Sequence, residues 1–449
     1  MRFAAQTFSF RKIATSNFVL LGCFFVYGVY FFSTLSSVPF HPDESTQLYT
    51  SADIEDFFAD PLSLSFKTGN SINQRVVYRV LDSPLTRYLI GIGRLITRHK
   101  PLPVDWDWSK TWQENVSAGA FPSDSMLLMA RFSVAVFIPI SLILFYLMVQ
   151  QIDGKLTALL GTIFLALNGL FLLHTRRAMA ESILIFAITC SLWYRFHPFS
   201  RNKVWTIAIP IALAINAKQS AVSLFLAGLI TLVFFQPEAT HKKRVLSCIL
   251  FLGVIMIITL LLNPFLWAEP LTSLRYAIEA RQNLLSRQVQ EIRNVRPDLV
   301  FDTVSERLAG MIAHAFFTPP AIADIGNYLE DTLAVENTYF SSPLTKLGRG
   351  LAGGTISFFL STFGFAVGSH NLLKSYRQTK GGNTPDTWLK LGWIWVATLS
   401  QALVNLIFFP LPFQRYVMPL IPYVCFWSAY GLAIIIKIFL KKTSSPLPV

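Results

Sequence analysis

The sequence predicts an all-α integral membrane protein with about ten transmembrane helices and two long exoplasmic loops that carry interfacial helices. Composition is the first reason. Apolar residues make up 53% of the 449 residues and charged residues only 14%, whereas a soluble domain has about 25% charged residues. The other two reasons are long uninterrupted apolar runs and the clustering of basic residues in alternate segments between them. Together they exclude a soluble fold, a disordered chain and a coiled coil.

Eight apolar runs approach the length of about 20 residues that a helix needs to cross a bilayer. They lie near 18–38, 126–149, 155–173, 178–194, 245–268, 351–372, 391–410 and 413–436. Two shorter runs, 204–217 and 221–235, predict a helical hairpin that either spans the membrane or is re-entrant. A hairpin returns the chain to the side that it left, so both alternatives give the same topology.

The distribution of charge predicts the orientation, because Lys and Arg mark the cytoplasmic side. With the N-terminus in the cytoplasm, the cytoplasmic segments hold 17 of the 38 Lys and Arg residues and only three of the 25 acidic residues. These segments are 1–17, 150–155, 195–203, 237–244, 373–390 and 437–449. The excess positive charge is therefore a topology signal, and no nucleic-acid partner is predicted.

The two long segments, about 39–125 and 269–350, then lie on the exoplasmic side. Long loops usually carry function, so we expect any chemistry there, within a single membrane domain formed by residues 1–449. The second segment predicts an interfacial helix. Leu284, Leu285, Val289, Ile292 and Val295 form one helical stripe over 275–307, which indicates a lid or an acceptor platform above the exoplasmic mouth.

An acidic motif, His41-Pro42-Asp43-Glu44, follows the first span. Pro42 is expected to end the preceding helix and turn the chain. A solvated acidic loop is one interpretation. The other is a general base, because a carboxylate held partly out of water near a hydroxyl group can accept its proton.

A second motif runs from Asp82 to Arg87 and continues into an amphipathic helix. Its polar side carries Arg87, Arg94 and Arg98, which predicts a helix in the membrane interface. These arginines either bind a lipid phosphate bidentately or anchor the helix among headgroups.

Further charged residues lie at the exoplasmic ends of later spans. Glu181 begins an apolar run, and Arg177, four residues earlier, is expected on the same helix face. This pair is either structural or part of a phosphate site. Lys218 and Arg415 lie at exoplasmic corners, where each either snorkels to headgroups or binds a phosphate or a carboxylate.

No nucleotide site is predicted, because the sequence has neither a P-loop nor a Gly-rich phosphate loop.

The spans, the long loops and the charged motifs together resemble the GT-C superfamily of membrane glycosyltransferases, above all its protein O-mannosyltransferase and lipid A aminoarabinose transferase branches. The similar motifs are His41 to Glu44, Asp82 to Arg87, Arg177 to Glu181, Ala217-Lys218-Gln219 and the run from Arg415 to Pro422.

The resemblance implies an inverting transfer of a sugar from a polyprenyl or dolichyl phosphate to a hydroxyl group of a glycan, lipid or protein. In this family, Asp43 and Glu44 would be catalytic. The residues that would stabilise the lipid phosphate are Arg87, Arg177, Lys218 and Arg415. Glu181, with His41 or Glu44, would orient the acceptor or hold a divalent cation such as Mg²⁺ or Mn²⁺.

A transporter or lipid flippase is the alternative. Such a protein would place its charges at the bilayer midplane and show repeated halves, whereas the charged motifs here cluster at one interface. For location, a bacterial inner or plasma membrane is favoured over the endoplasmic reticulum.

Overall fold

The protein is described by a computed structural model that covers residues 17–69, 73–194, 204–235, 240–321, 328–379 and 386–443. Within these ranges the secondary structure is helical and contains no strand. The predicted cytoplasmic segment 195–203 and parts of the other basic segments lie outside the described residues. The all-α membrane architecture that the sequence predicts is confirmed.

The membrane-type helices are apolar and mostly long. They are α1 (Asn17–Ser33), α7 (Asp124–Ala135), α8 (Phe137–Asp153), α9 (Lys155–Ala166), α10 (Gly169–His174), α11 (Glu181–Tyr194), α12 (Trp205–Ala217), α13 (Val222–Phe234), α14 (His241–Leu262), α18 (Gly350–Thr379), α19 (Asp386–Phe408) and α20 (Ile421–Thr443). In this part of the chain, five continuous helical segments are long and apolar enough to cross a membrane, and five shorter apolar helices accompany them. The count of ten spans stays a prediction.

The two long loops carry the remaining α-helices. The first holds α2 (Pro42–Thr50), α3 (Asp53–Ala59), α4 (Gln74–Leu81), α5 (Leu85–Thr97) and α6 (Trp112–Ser117), and the second holds α15 (Pro270–Val295), α16 (Val304–Ile312) and α17 (Leu329–Ser341). Residues of these loop helices line one cavity together with most of the predicted site residues.

Close helix packing builds the bundle. α11 packs against α8 and α12, α12 against α14, and α18 against α20. A Cβ atom at Gly364 would lie 2.0 Å from the backbone oxygen of Trp427, and one at Gly431 would lie 2.4 Å from that of Leu360. Glycine is therefore required where α18 crosses α20, as in many membrane helix pairs.

The predicted hairpin is present as α12 and α13, two helices of 13 residues each that are joined at Lys218. They pack mainly on different partners, α12 on α11 and α14, and α13 on α19. The hairpin is thus part of the bundle, and its corner lies where α11 begins.

The expectation for Pro42 is wrong. The first span ends at Ser33, and Pro42 is the first residue of α2. Proline is favoured at this position because its ring fixes φ and the first helical N–H needs no intrahelical partner. His41 and Glu44 complete the capping box: Nδ1 of His41 accepts from the amide of Asp43 at 3.1 Å, and Oε2 of Glu44 accepts from the amide of His41 at 3.0 Å.

The helix predicted after Asp82 is present as α5, but two of the three arginines that were expected to contact lipid phosphate or headgroups are buried. In α5, Arg87 and Arg94 are buried, whereas Ile92, Leu95 and Ile96 are exposed. Arg94 donates to Glu55 at 2.5 Å and to Ser51 at 3.1 Å, so it is held inside the protein. An apolar face turned outward is the arrangement expected for a helix in contact with lipid.

Candidate functional site

A cavity of about 1200 Å³ lies among the helices of the two long loops and the adjoining ends of the bundle helices. Five of the eight predicted site residues line it, although they are far apart in the sequence: His41, Asp43, Glu181, Lys218 and Arg415. α15 lies along the cavity through Arg281, Leu284 and Leu285, as predicted for a helix over the mouth. Val295, the last residue of its predicted stripe, is 79% exposed and does not belong to the packed face.

Asp43 lies in the first turn of α2 and points at the cavity. One of its carboxylate oxygens, Oδ2, accepts a hydrogen bond from the guanidinium of Arg415. The other, Oδ1, lies 3.8 Å from Nδ1 of His41. The side chain of Asp43 is 29% exposed, so a substrate hydroxyl group can reach it.

Burial and neighbouring charges act in opposite directions on Asp43. Burial raises the pKa of its carboxyl group, but the charge and hydrogen bond of Arg415, together with the charge of Lys218, outweigh burial and hold the pKa below its usual range. Burial, helped by Arg177 and Arg415, lowers the pKa of His41 to about 3. Asp43 is therefore ionised and His41 is neutral near pH 7 while Arg415 stays in place.

Glu181 and Lys218 form a second charged pair in the cavity. Nζ of Lys218 donates to Oε1 of Glu181 at 2.5 Å. Glu181 is the first residue of α11 and almost fully buried, and its Oε2 has no hydrogen-bond partner among the described residues. Lys218 terminates α12, and its side chain is 20% exposed. The lysine is held by Glu181 and by the C-terminal end of α12, which favours a cation, and its exposed part can bind an anion in the cavity.

Glu44 lies behind the cavity, fully buried. Its two oxygens accept from Nε and Nη2 of Arg131 at 2.8 Å each. Oε1 also accepts from the amide of Ala178 at 2.8 Å. Arg131 in turn donates to the backbone oxygens of Leu35 and Val38. Glu44 thus ties α2 to α7 and to the turn before α11, which places Asp43 and Glu181 in the same cavity.

Two predicted phosphate ligands do not line the described cavity. Arg87 donates to the backbone oxygen of Asp82 at 2.6 Å and lies 3.6 Å from Asp53. The expectation that Arg177 and Glu181 share a helix face is wrong, because α11 begins at Glu181 and Arg177 lies in the preceding turn, where it donates to the backbone oxygen of Pro39.

Two cavity-lining carboxylates, Asp82 and Asp105, were not predicted as site residues. Asp105 is 5% exposed and accepts from Nε2 of Gln74 at 3.3 Å. Burial raises the pKa of Asp105 to about 6, although the nearby hydroxyl groups of Tyr78 and Thr46 and the amide of Trp106 lower it and the charge of Asp43 raises it further. Burial also raises the pKa of Asp82. The sequence offered no sign of Asp105, because loop residues have no periodicity.

We expect Asp105→Asn to stabilise the protein in a pH-dependent way. The folded protein binds the Asp105 proton more tightly than the unfolded chain does, so the ionised carboxylate costs stability as the pH rises from about 4 to about 6. A pKa rise from 3.8 to about 6 corresponds to at most about 3 kcal/mol. Unfolding of wild type and variant in mild detergent should differ by up to this amount at pH 8 and converge near pH 4; equal stability at pH 8 would contradict the expectation.

The predicted carboxylates do not fit a divalent cation. Within the described ranges, no three His, Cys, Asp or Glu side chains form a group that could hold a metal ion. The oxygens of Glu44 are occupied by Arg131 and backbone amides, and Glu181 is paired with Lys218.

Comparison with known proteins gives one family match. Residues 103–268 match the family model of dolichyl-phosphate-mannose-protein mannosyltransferase. An uncharacterised protein of Aquifex aeolicus is 33% identical over 122 residues, which is 26% of this chain and 24% of that protein. The residues that match the family model include Glu181 and Lys218 of the cavity.

Solved structures show the same fold. ArnT from Cupriavidus metallidurans, bound to undecaprenyl phosphate, superposes with a TM-score of 0.51 at 13% identity and covers 93% of this chain and 61% of that chain. The apo oligosaccharyltransferase of Archaeoglobus fulgidus gives 0.50 at 13% identity over 95% of this chain and 52% of that chain. This chain therefore spans half to three-fifths of the length of these structures. It is an integral membrane protein with the GT-C fold that the sequence predicted, and its residues 103–268 match the protein mannosyltransferase family.

Proposed function

We propose that the protein is an inverting glycosyltransferase. It moves a sugar from a polyprenyl or dolichyl phosphate to a hydroxyl group on the exoplasmic side of the membrane. A bacterial inner or plasma membrane is the favoured location. The observation that carries the proposal is that one carboxylate, Asp43, and two cations, Lys218 and Arg415, line the same cavity at the ends of membrane helices, with Arg415 hydrogen-bonded to Asp43.

This arrangement matches the charges of the reaction. The donor brings a phosphate that becomes more negative as it leaves, and Lys218 and Arg415 are placed to stabilise that charge. The acceptor brings a neutral hydroxyl group that must lose a proton, and Asp43 is placed to accept it. The remaining predicted ligands, Arg87 and Arg177, support the site from outside the cavity. Arg87 donates to the backbone oxygen of the lining residue Asp82, and Arg177 donates to that of Pro39, two residues before the lining residue His41.

The transfer is a single displacement at the anomeric carbon. The acceptor O–H gives its proton to a carboxylate oxygen of Asp43 as the acceptor oxygen bonds to the anomeric carbon. The bond from that carbon to the phosphate oxygen breaks on the opposite side, and its electron pair stays on the lipid phosphate. Attack and departure on opposite sides invert the configuration.

The pair between Asp43 and Arg415 links donor binding to base strength. With Arg415 on the carboxylate, the pKa of Asp43 is held low and Asp43 is a weak base. A guanidinium binds phosphate bidentately, so a bound donor competes for Arg415. Once Arg415 moves to the phosphate, burial remains and raises the pKa of Asp43. The carboxylate then becomes a stronger base when the donor is present.

The carboxylates of Glu44 and Glu181 are paired with Arg131 and Lys218, so the proposal assigns the charge of the phosphate to Lys218 and Arg415. Glu181 holds Lys218 in place through Oε1, and its second oxygen is available to a substrate hydroxyl group. His41 caps α2 and so fixes the direction of Asp43.

A donor panel tests the proposal. The protein is reconstituted in liposomes that contain labelled polyprenyl-phosphate mannose, glucose, galactose, aminoarabinose or galacturonate, together with native membrane extract as acceptor. Consumption of one donor, with a product of inverted anomeric configuration by NMR, is the expected result. No consumption of any donor, combined with movement of the labelled lipid between leaflets, would favour the flippase.

Removing the charge of Lys218 should weaken donor use. Lys218→Met alone leaves Glu181 buried without its cation, so the informative variant is Lys218→Met/Glu181→Gln, which keeps the site neutral overall. We expect kcat/KM for the donor to fall by about 10²- to 10³-fold, the effect of losing one group that stabilises developing negative charge. Lys374→Met, at an exposed lysine of α18, is the control. Equal kcat/KM in both variants would remove Lys218 from the phosphate site.

A further inference from the structure

One wall of the cavity has chemistry that the displacement step leaves unused. Asp105 and Trp108 belong to the loop between α5 and α6, and both line the cavity. Asp105 is nearly buried, Gln74 donates to its Oδ2, and the hydroxyl groups of Tyr78 and Thr46 and the amide of Trp106 lie close to the carboxylate. Its Oδ1 nevertheless receives no hydrogen bond of regular geometry from the described residues. A buried carboxylate oxygen without a partner is costly. Such an oxygen is well placed to accept a hydrogen bond from a ligand.

The position of Asp105 relates this wall to Asp43. Thr46, whose hydroxyl group lies close to the Asp105 carboxylate, is on α2 three residues after Asp43. Residues three apart are neighbours on one helix face. Arg415 contacts Asp43 itself, whereas Asp105 approaches α2 one turn further along. A substrate with one hydroxyl group on Asp43 can therefore present another to Asp105.

An aromatic surface continues this wall. Trp108 is 43% exposed, and its ring lies 6.0 Å from Tyr328 in an edge-on arrangement. Tyr328 lies 5.7 Å from the ring of His41, beside Asp43. An exposed indole ring offers an apolar face. A sugar ring has an apolar C–H face and a rim of hydroxyl donors, so a tryptophan face beside a carboxylate suits it.

We propose that Asp105 and Trp108 form an acceptor subsite, and that the acceptor is a carbohydrate rather than a serine or threonine of a protein. This inference rests on the proposed function. A side-chain hydroxyl group of a peptide needs only Asp43, whereas the free oxygen of Asp105 and the face of Trp108 have a use when the acceptor carries a second hydroxyl group on a ring. The donor sugar lies between Asp43 and the two cations, so the wall beyond Asp43 is left to the acceptor.

The test compares acceptors in liposomes loaded with the donor that the protein consumes. The acceptors are methyl glycosides of mannose, glucose and galactose, the matching glycosides that each lack one hydroxyl group, and a peptide rich in serine and threonine. The variants are Asp105→Asn and, as a matched control in the same loop, Asp107→Asn, which also lines the cavity but whose carboxylate is 41% exposed and already accepts from Ser109.

We expect wild type to use a glycoside in preference to the peptide. Asp105→Asn should raise the KM for that glycoside roughly 10- to 100-fold, the effect of losing a hydrogen bond to a charged group. The KM for the donor should not change, and Asp107→Asn should behave as wild type. In wild type, removal of one particular hydroxyl group from the glycoside should raise the KM by the same factor as Asp105→Asn does. In Asp105→Asn, removal of that hydroxyl group should raise the KM no further, because both changes remove the same interaction.

The other outcomes overturn the inference in distinguishable ways. If the peptide is used as well as the glycosides, or if Asp105→Asn raises the KM for the donor, the proposed function stands and the carbohydrate subsite does not. The carbohydrate subsite is also excluded if, for every glycoside, the KM increase from Asp105→Asn and the KM increase from the missing hydroxyl group multiply, because the two changes then act independently. If wild type consumes no donor at all, the proposed function fails and the subsite fails with it.

Discussion

Asp43→Asn should reduce sugar transfer by at least about 100-fold and by as much as 10⁴-fold, the range expected when a positioned general base is lost. The amide has nearly the same shape as the carboxylate but cannot accept the acceptor proton. Asp43 contributes little to packing, because its side chain is partly exposed and its ion-pair partner Arg415 is 18% exposed. The amount of folded protein in the membrane should therefore stay the same. The measurement is transfer from labelled donor per mole of folded protein.

Asp56→Asn is the matched control for this loss. Asp56 is also an exoplasmic carboxylate, 44% exposed and 3.6 Å from Arg79, but it lies outside the cavity. We expect it to transfer sugar at the wild-type rate. Transfer by Asp43→Asn that matches Asp56→Asn would show that Asp43 is not the base, even if the protein proves to be a glycosyltransferase.

Arg131→Met should have the largest effect on stability. It removes the partner of Glu44 and leaves a fully buried carboxylate without a cation. Breaking a buried ion pair in this way costs about 3–5 kcal/mol of unfolding free energy. Reversible unfolding by SDS in mixed micelles can measure the loss. Activity should fall with the folded fraction, since α2 and the turn before α11 are both attached to Glu44.

Two further variants separate charge burial from simple truncation. Arg131→Met/Glu44→Gln removes both charges and keeps an acceptor for one of the two amides, that of His41 or that of Ala178, so it should recover part of the lost stability. Arg275→Met removes one partner of an exposed pair on α15. Exposed pairs contribute little, so this control should unfold like wild type. A loss in Arg131→Met no greater than in Arg275→Met would contradict the role of Glu44 as an anchor.

The sequence predicted the class of fold and the side of the bundle that carries the site, because both depend on simple sums. Apolar runs locate membrane helices, and the charge of the intervening loops orients them. Once the sidedness is known, Asp43, Glu181, Lys218 and Arg415 must all lie near one interface. Their convergence on one cavity follows from helix packing, which the sequence pattern does not contain.

The errors have a common physical cause, which is that pairing partners are distant in sequence. Glu44 and Arg131 are 87 residues apart, so the sequence could not show that one neutralises the other. Arg177 stood four residues before Glu181, and the pattern wrongly favoured that local pair over the distant Lys218. In α5 the apolar stripe was recognised, but in a bilayer such a stripe can face lipid as well as protein, and the arginines proved to face inward.

The outward apolar face of α5 has a consequence for how substrate arrives. Exposed Ile92, Leu95 and Ile96 suit a helix that lies among the lipid headgroups, and Thr86, in its first turn, lines the cavity. A carrier lipid diffusing in the leaflet can thus reach the cations sideways, with its tail still in the bilayer. The rate should then follow the mole fraction of donor among the membrane lipids, so that adding inert lipid slows the enzyme at constant bulk concentration.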